Sequence, residues 1–212
     1  MGKLSSIKTF KSSQFVIPTP ICFYPFNGDI LDYATGTGVS NATGVGGTPT
    51  FNTSFYKTGT SSLILTGSNS ITLPSFTMSN NMTFCLWFST ANSVVCSTLF
   101  YYTAQFGLEL GYTNNLIVVN STTNISGISG SNFASTAWTH VAITVSGATI
   151  VAYVNGTFIK SSTLATGALS STASATIGVG YTHNFVGNMN NYRVYNSTLT
   201  STQIAVIYNT SI

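Results

Sequence analysis

The stretch WTHVAITVSGATIVAYVNGTFIKSS, residues 138–162, decides the fold of this chain. Apolar side chains alternate with small or polar ones over residues 141–145 and again over residues 150–154, which is the period of a half-buried strand. Ser146-Gly147 interrupts the first run. Asn155-Gly156 ends the second, and both of its residues tolerate the positive φ of a type I′ hairpin turn. The stretch therefore predicts a three-strand antiparallel meander.

The rest of the sequence has the character of one large all-β domain. A chain of 212 residues is long enough to bury a core without disulfides or metals. Short aromatic and β-branched runs alternate with Gly, Asn, Ser and Thr, as in β-sandwiches and jelly rolls. One short helix is predicted from Thr200 to Tyr208, because Thr200 and Gln203 have the spacing of a capping box. No apolar run reaches the roughly 18 residues of a membrane span.

Four further segments extend the pattern along the chain. Together with the W-x-H strand and its YVNG turn, they resemble the laminin-G-like branch of the concanavalin A-like lectin/glucanase superfamily. The resemblance implies a two-sheet antiparallel jelly roll with adjacent first and last strands, and with Trp87, Val141, Ile143 and Val154 in the inter-sheet core. The fold carries lectins, enzymes, adhesins and structural modules, so it does not decide the function. The segments are CFYPFNGDILDYATGTG (22–38), TGTSSLILTGSNSITLPS (58–75), MTFCLWFST (82–90) and GNMNNYRVYNSTLTSTQIAVIYN (187–209).

The first residues lie outside this resemblance. We therefore predict an N-terminal arm over residues 1–19 and a laminin-G-like domain over residues 20–212. The arm has neither the apolar stretch nor the cleavage site of a secretory signal peptide. Its MGKLSS start matches the minimal myristoylation pattern at Gly2, which a Ser-rich chain also produces by chance. The arm is predicted to be ordered against another chain, with apolar tether residues Phe10, Phe15, Val16 and Ile17.

The composition is unusually poor in charge. Charged residues make up 4% of the chain, against about 25% in an average soluble domain. The three cysteines have no C-x-x-C spacing, which fits synthesis in a reducing compartment. These features favour a non-catalytic structural or interaction protein that contacts neighbouring proteins in a large assembly. By similarity to low-charge, Asn/Thr-rich virion proteins, we expect a viral capsid or its outer layer, or another extracellular particle surface, after cytoplasmic synthesis without a signal peptide.

Two classes of function are disfavoured by the inventory of charged residues. Glycoside hydrolysis usually needs two carboxyl groups about 5–9.5 Å apart. The chain holds only Glu109, expected to face solvent or bond an amide, and the aspartates Asp29 and Asp32 of the opening turn. We therefore predict no enzyme and no catalytic residues. Nucleic acid is also disfavoured, because the predicted domain has only three widely spaced Lys and Arg residues to neutralise phosphates.

Two binding activities remain open. The resemblance implies a calcium site, for which Asp32 and Asn190 are the candidate ligands. Asn190 and Asn191 stand where relatives often carry an acidic pair, however, and calcium affinity depends on ligand charge. A cofactor-free domain, with Asp32 bonding its own turn, is therefore the main expectation. The alternative function is a soluble carbohydrate-binding attachment module, which uses aromatic faces with amide and imidazole donors. Its candidate residues are Tyr112, Tyr181, His183 and Asn184.

Overall fold

The computed structural model describes most of the predicted domain and the end of the arm. Phe10, Phe15, Tyr112 and Tyr181 lie outside the described residues, so the predictions on them stay predictions. None of the helices in the described part is long and apolar enough to cross a bilayer. The described residues are 16–34, 41–91, 97–102, 106–110, 116–120, 123–128, 135–164, 169, 172–180 and 183–210.

The described chain is nearly all strand, followed by one helix. The strands alternate with short turns, as the recurring Gly, Asn, Ser and Thr clusters predict. In chain order the elements are β1 (Cys22–Tyr24), β2 (Thr43–Val45), β3 (Thr50–Asn52), β4 (Ser62–Thr66), β5 (Ser70–Thr77), β6 (Asn81–Thr90), β7 (Ser97–Tyr102), β8 (Phe106–Leu110), β9 (Leu116–Asn120), β10 (Thr123–Ile128), β11 (Ser135–Ser146), β12 (Thr149–Val154), β13 (Thr157–Thr163), β14 (Thr172–Ile177), β15 (His183–Asn184), β16 (Val186–Tyr195) and α1 (Ser201–Thr210).

The strands form two sheets. The first has the order β13-β12-β11-β6-β16-β4-β3, with β1 also paired to β16, and the second has the order β10-β9-β8-β7-β14-β5-β2. The short strand β15 adds to β7 in parallel, and the other pairings are antiparallel. Because β1 lies on β16, the opening and closing strands are adjacent, as predicted. The fold is a concanavalin A-like jelly roll.

The predicted meander is present as β11, β12 and β13. Gly147, at φ 59°, lies in the first turn. The second turn consists of Asn155 at φ 48° and Gly156 at φ 76°, which are the left-handed conformations that a type I′ turn requires. The Asn155 side chain also stabilises the pairing of β12 with β11, since its Oδ1 accepts the backbone N–H of His140 at 2.9 Å. The local sequence therefore sets both the turn and the register.

The core between the sheets contains three of the four residues predicted for it. Val141, Ile143 and Val154 pack there among the inward side chains of both sheets. Trp87 is buried, with 2% of its surface exposed, but the prediction of its location is wrong. Phe84, Leu86 and Phe88 occupy the inner face of β6, so the alternation of side chains along a strand turns Trp87 to the outer face.

Helix α1 covers part of that outer face. Its start is the predicted capping box: the Gln203 N–H donates to Thr200 Oγ1 at 3.3 Å, and the Thr200 N–H donates to Gln203 Oε1 at 2.8 Å. The arm also reaches this helix, because Gln203 Nε2 donates to the Val16 carbonyl at 2.9 Å. Ile17 packs partly buried beside a cluster formed by the outer face and the α1 region, which consists of Cys85, Ala142, Tyr153, Tyr195, Leu199, Ile204 and Ile207.

Candidate functional site

A cavity of about 660 Å³ opens on the outer face of the first sheet, beyond the part that α1 covers. We call it the outer-face pocket. It lies where β6 and β16 pair through Ser89 and Asn188, next to the loop that joins β3 to β4. Its volume is that of an ordinary small-ligand site. Its lining includes Phe55, Ser89, Thr136, Val186, Gly187 and Asn188.

The β3–β4 loop, residues 53–61, supplies the aromatic wall of the pocket. Asn52 Oδ1 accepts the backbone N–H groups of Ser54 and Phe55 at 3.0 Å each, which bends the chain immediately after β3. Ser62 Oγ donates to the Phe55 carbonyl at 2.6 Å. The Phe55 ring stacks on Trp138, with centroids 5.1 Å apart and an interplanar angle of 16°. Backbone bonds and stacking therefore hold this ring in place.

The polar wall of the pocket is made of hydroxyl and amide groups. Ser89 Oγ donates to the Thr136 carbonyl at 3.1 Å. Asn188 Oδ1 lies 3.2 Å from Ser62 Oγ, and the amide makes no other side-chain hydrogen bond within the described part of the chain, so one end of it is available to a ligand. None of the lining side chains in the described part of the chain carries a charge. The pocket thus offers an aromatic face and neutral hydrogen-bonding groups.

Gly187, one of the lining residues, sits where no side chain fits between β16 and its neighbours. Its φ is 152°, and a Cβ at this position would lie 2.3 Å from the Ser89 carbonyl oxygen and 2.9 Å from the Phe185 ring. Phe185 is itself buried in the inter-sheet core. A side chain here would therefore displace either the backbone of β6 or a core ring. Glycine is the residue that lets β16 approach β6 this closely.

A group of rings lies on the same outer face, between the pocket and α1. Trp87 is 5.1 Å from His140 and 5.4 Å from Tyr208, measured between ring centroids. The Lys57 ammonium of the β3–β4 loop sits 4.4 Å above the Trp87 ring, a cation–π contact. Burial, with a smaller contribution from Arg193, lowers the pKa of His140 from 6.5 to about 3. His140 is therefore neutral at physiological pH and lies buried within the structure, in line with the structural role of a W-x-H strand residue.

Two of the four sugar-site candidates taken from sequence, His183 and Asn184, are described by the structure, and they do not line this pocket. His183 and Asn184 are exposed on β15, which belongs to the second sheet. Asn184 Nδ2 donates to the Gly67 carbonyl at 2.6 Å. A sugar site at these residues stays a prediction. Sequence reasoning missed Phe55, and its only signal was an aromatic residue inside a Ser, Thr and Asn-rich loop.

Glu109 and the two aspartates lie at different sheets of the fold. Glu109, on β8 of the second sheet, is 2% exposed, so the solvent-facing position expected for it is wrong. Its Oε1 accepts from Thr98 Oγ1 at 2.7 Å. Asp29 and Asp32 follow β1 on the first sheet. Asp29 accepts from the Leu31 N–H at 3.2 Å and from the Tyr33 hydroxyl at 2.8 Å.

Asp32 performs the backbone role expected of an aspartate in a turn. Its Oδ1 accepts the Ala34 N–H at 2.9 Å and the Phe23 N–H at 2.8 Å, so it fastens the opening turn to β1. Burial, and secondarily the Asp32 charge, raises the pKa of the Cys22 thiol to about 12. Cys22 is therefore an inert buried thiol.

The residues at Asn190 do not fit a calcium ion. Asn190 Oδ1 accepts the Thr58 N–H at 2.9 Å, and its Nδ2 donates to the carbonyls of Pro25 at 2.6 Å and Ser61 at 3.1 Å. Calcium requires converging oxygen ligands, whereas here an N–H₂ group occupies the space between the carbonyls. Asp32 Oδ1 bonds its own turn and β1, and its buried Oδ2 has no hydrogen-bond partner in the described part of the chain. In the described part of the chain, no three His, Cys, Asp or Glu side chains gather as a metal site.

The family of the chain follows from its sequence and agrees with its topology. The model of the concanavalin A-like lectin/glucanases superfamily matches residues 65–205, which is more than half of the chain. The chain therefore belongs to this superfamily. No curated protein matches it.

Solved structures share the fold at low sequence identity. Domain 4 of AbnA, a GH43 extracellular arabinanase from Geobacillus stearothermophilus solved in complex with arabinotriose, has a TM-score of 0.76 and 23% identity, covering 90% of this chain and 98% of that domain. The binding domain of botulinum neurotoxin DC, in complex with rat synaptotagmin II, has a TM-score of 0.70 and 14% identity, over 92% of this chain and 52% of the toxin domain. The chain thus spans about half of that toxin domain.

Proposed function

We propose that this chain is a non-catalytic binding module and that its outer-face pocket takes a neutral glycan. The observation that carries the proposal is the lining of the pocket. A fixed phenyl ring lies beside the Asn188 amide, one end of which has no hydrogen-bond partner in the described part of the chain, and none of the described lining residues is charged. Sugars present apolar C–H faces and ring hydroxyls together, so they match such a mixed surface, which is typical of small-ligand sites.

Two further observations support this reading. The AbnA domain, which is similar over nearly its whole length, was solved with arabinotriose. The carboxylates of this chain are either fastened to backbone or buried beside a hydroxyl, which supports a non-catalytic role because glycoside hydrolysis usually needs a facing pair of carboxyl groups. A pocket whose described lining has neutral hydrogen-bonding groups and an aromatic ring, but neither acid nor base, is expected to bind a glycan without cleaving it.

The test is a glycan array probed with the purified domain, followed by calorimetric titration of the best neutral oligosaccharide. We expect Phe55→Ala and Asn188→Ala each to weaken binding about tenfold, the equivalent of about 1.4 kcal/mol. Phe158→Ala is the matched control, because Phe158 is an aromatic side chain 55% exposed on the edge strand β13. Melting curves confirm that each variant is folded. Unchanged affinity in both pocket variants, or binding of acidic glycans alone, refutes the assignment.

A second candidate is a structural role in a particle, whose most specific form is a viral capsid or its outer layer. It is favoured by the 4% content of charged residues, because a surface of hydroxyls and amides suits permanent contact with neighbours. Exposed Val16 and Phe158 offer apolar anchors on the α1 side of the domain. The two roles are compatible, since a domain displayed on a particle can bind glycans through the pocket.

A further inference from the structure

Asn190 is the point at which three distant segments of the chain meet. It is fully buried, at 0% exposure, on the closing strand β16. Its side chain bonds the opening segment at Pro25 and both Thr58 and Ser61 of the β3–β4 loop. These partners lie more than 100 positions away in sequence. The amide therefore ties together parts that local structure does not connect.

The hydrogen bonds fix which end of the amide faces which partner. The backbone N–H of Thr58 has only a proton to offer, so the atom 2.9 Å from it must be the Asn190 oxygen. The nitrogen then faces the carbonyl oxygens of Pro25 and Ser61. Two carbonyl oxygens around one atom repel each other unless a positive group stands between them. The two protons of Nδ2 supply that positive charge.

The groups that hydrogen-bond around Asn190 are neutral as well. The Ser61 hydroxyl donates to the Phe26 carbonyl at 3.1 Å. Asn27 Oδ1 accepts the Thr60 N–H at 3.2 Å, and Asn191 Nδ2 donates to Thr58 Oγ1. Each carbonyl of this clamp thus meets a protein donor. No carboxylate takes part in these bonds.

We propose that the Asn190 amide performs the structural work that a bound divalent cation would perform here, so that the clamp is independent of metal. The superfamily resemblance implies the opposite, a calcium site with Asp32 and Asn190 as candidate ligands, whereas the main expectation from the sequence is a domain without a cofactor. The contacts point instead to a built-in donor that excludes the ion, because the N–H₂ group fills the position between the carbonyls. Replacing only this amide by a carboxylate turns the same carbonyls into an oxygen cage for a cation.

The clamp also has a consequence for the pocket. It holds the β3–β4 loop, which carries Phe55 and Lys57 onto the outer face. A domain that fixes this loop without a metal keeps the pocket formed when calcium is absent. The proposal does not depend on what the pocket binds, since it concerns how the loop is held.

The experiment compares melting temperatures in EDTA and in about 10 mM calcium chloride, a concentration above the millimolar affinity of weak calcium modules. The wild-type temperature should be the same in both. Asn190→Asp should melt about 5 °C or more below wild type in EDTA, because two buried donors are lost and a carboxylate faces two carbonyls. Calcium should restore part of that loss.

Two variants separate the proposal from a general effect of mutation. Asn190→Ala should show the low melting temperature with no response to calcium, because it supplies no oxygen. Asn188→Asp is the matched control, since it places a carboxylate on the same face of the same strand beside Ser62, where the Asn188 amide bonds no pair of carbonyls from the described residues. A calcium-dependent rise in wild-type stability overturns the proposal. So does an Asn190→Asp variant that calcium stabilises no more than it stabilises Asn188→Asp.

Discussion

Acidification should destabilise this domain through one buried side chain, His140. Histidine is the side chain whose ordinary pKa lies between pH 5 and 8, and the chain has two, His140 and His183. His183 is exposed, while His140 is 1% exposed against Trp87 and Tyr208. Because the chain has so few titratable groups, the pH dependence of its stability between pH 5 and 8 reports on the buried His140 imidazole.

The size of the effect follows from the two pKa values. The His140 pKa is about 3 in the folded chain, against 6.5 as the ordinary value. Between those values the unfolded chain binds the proton and the folded chain does not, so stability falls as pH falls. The slope is about 1.4 kcal/mol per pH unit. From pH 7.5 to pH 5 the loss is about 2 kcal/mol, or about 4–8 °C in melting temperature for a domain of this size.

The assay is urea unfolding followed by tryptophan fluorescence at half-unit steps from pH 7.5 to pH 5, a window above the ordinary range of carboxyl groups. His140→Phe keeps a planar ring in the site without a titrating nitrogen and should flatten the dependence. His183→Ala is the control and should leave the slope intact. A slope that persists in His140→Phe, or a wild-type stability that is flat down to pH 5, refutes the reasoning.

Two further predictions concern packing and the arm. Trp87→Ala should lower the free energy of unfolding by about 3–5 kcal/mol in urea titrations, because it leaves a cavity beneath Lys57 and Tyr208; a loss below about 1 kcal/mol contradicts this. Deleting residues 1–15 should leave the melting temperature nearly unchanged, whereas deleting residues 1–19 should lower it, because Ile17 and the Val16 carbonyl contact the α1 region. If the arm is a tether, both deletions abolish incorporation into the particle, and normal incorporation excludes that role.

Local signals in the sequence were sufficient for much of the fold. Strict alternation with Asn-Gly between two runs defines the β12–β13 hairpin, since few residues other than Asn and Gly accept its two positive φ values. The Thr200–Gln203 spacing likewise marks the start of α1. In both places the residues that carry the signal also make the contacts that form the structure.

The position of Trp87 shows where such signals fail. The run MTFCLWF of β6 is apolar on both faces, so its composition does not say which alternate set points into the sandwich. The structure places Phe84 and Leu86 inside and turns Trp87 outward. What makes the outer face apolar is α1, more than a hundred residues later in the chain. A burial pattern set by such a distant element cannot be predicted from the strand alone.

The candidate site could not be predicted from the sequence because asparagine amides, rather than carboxylates, hold it together. Metal and catalytic sites are usually predicted from carboxylates, and this chain has only three of them. Asparagines take over the anchoring: Asn52 bends the β3–β4 loop, Asn190 clamps it, and Asn155 locks the hairpin. One amide both donates and accepts, so it can satisfy backbone groups of both kinds where a carboxylate needs a cation. A chain with 4% charged residues can hold a binding loop in this way, and the resulting pocket is neutral because its scaffold is neutral.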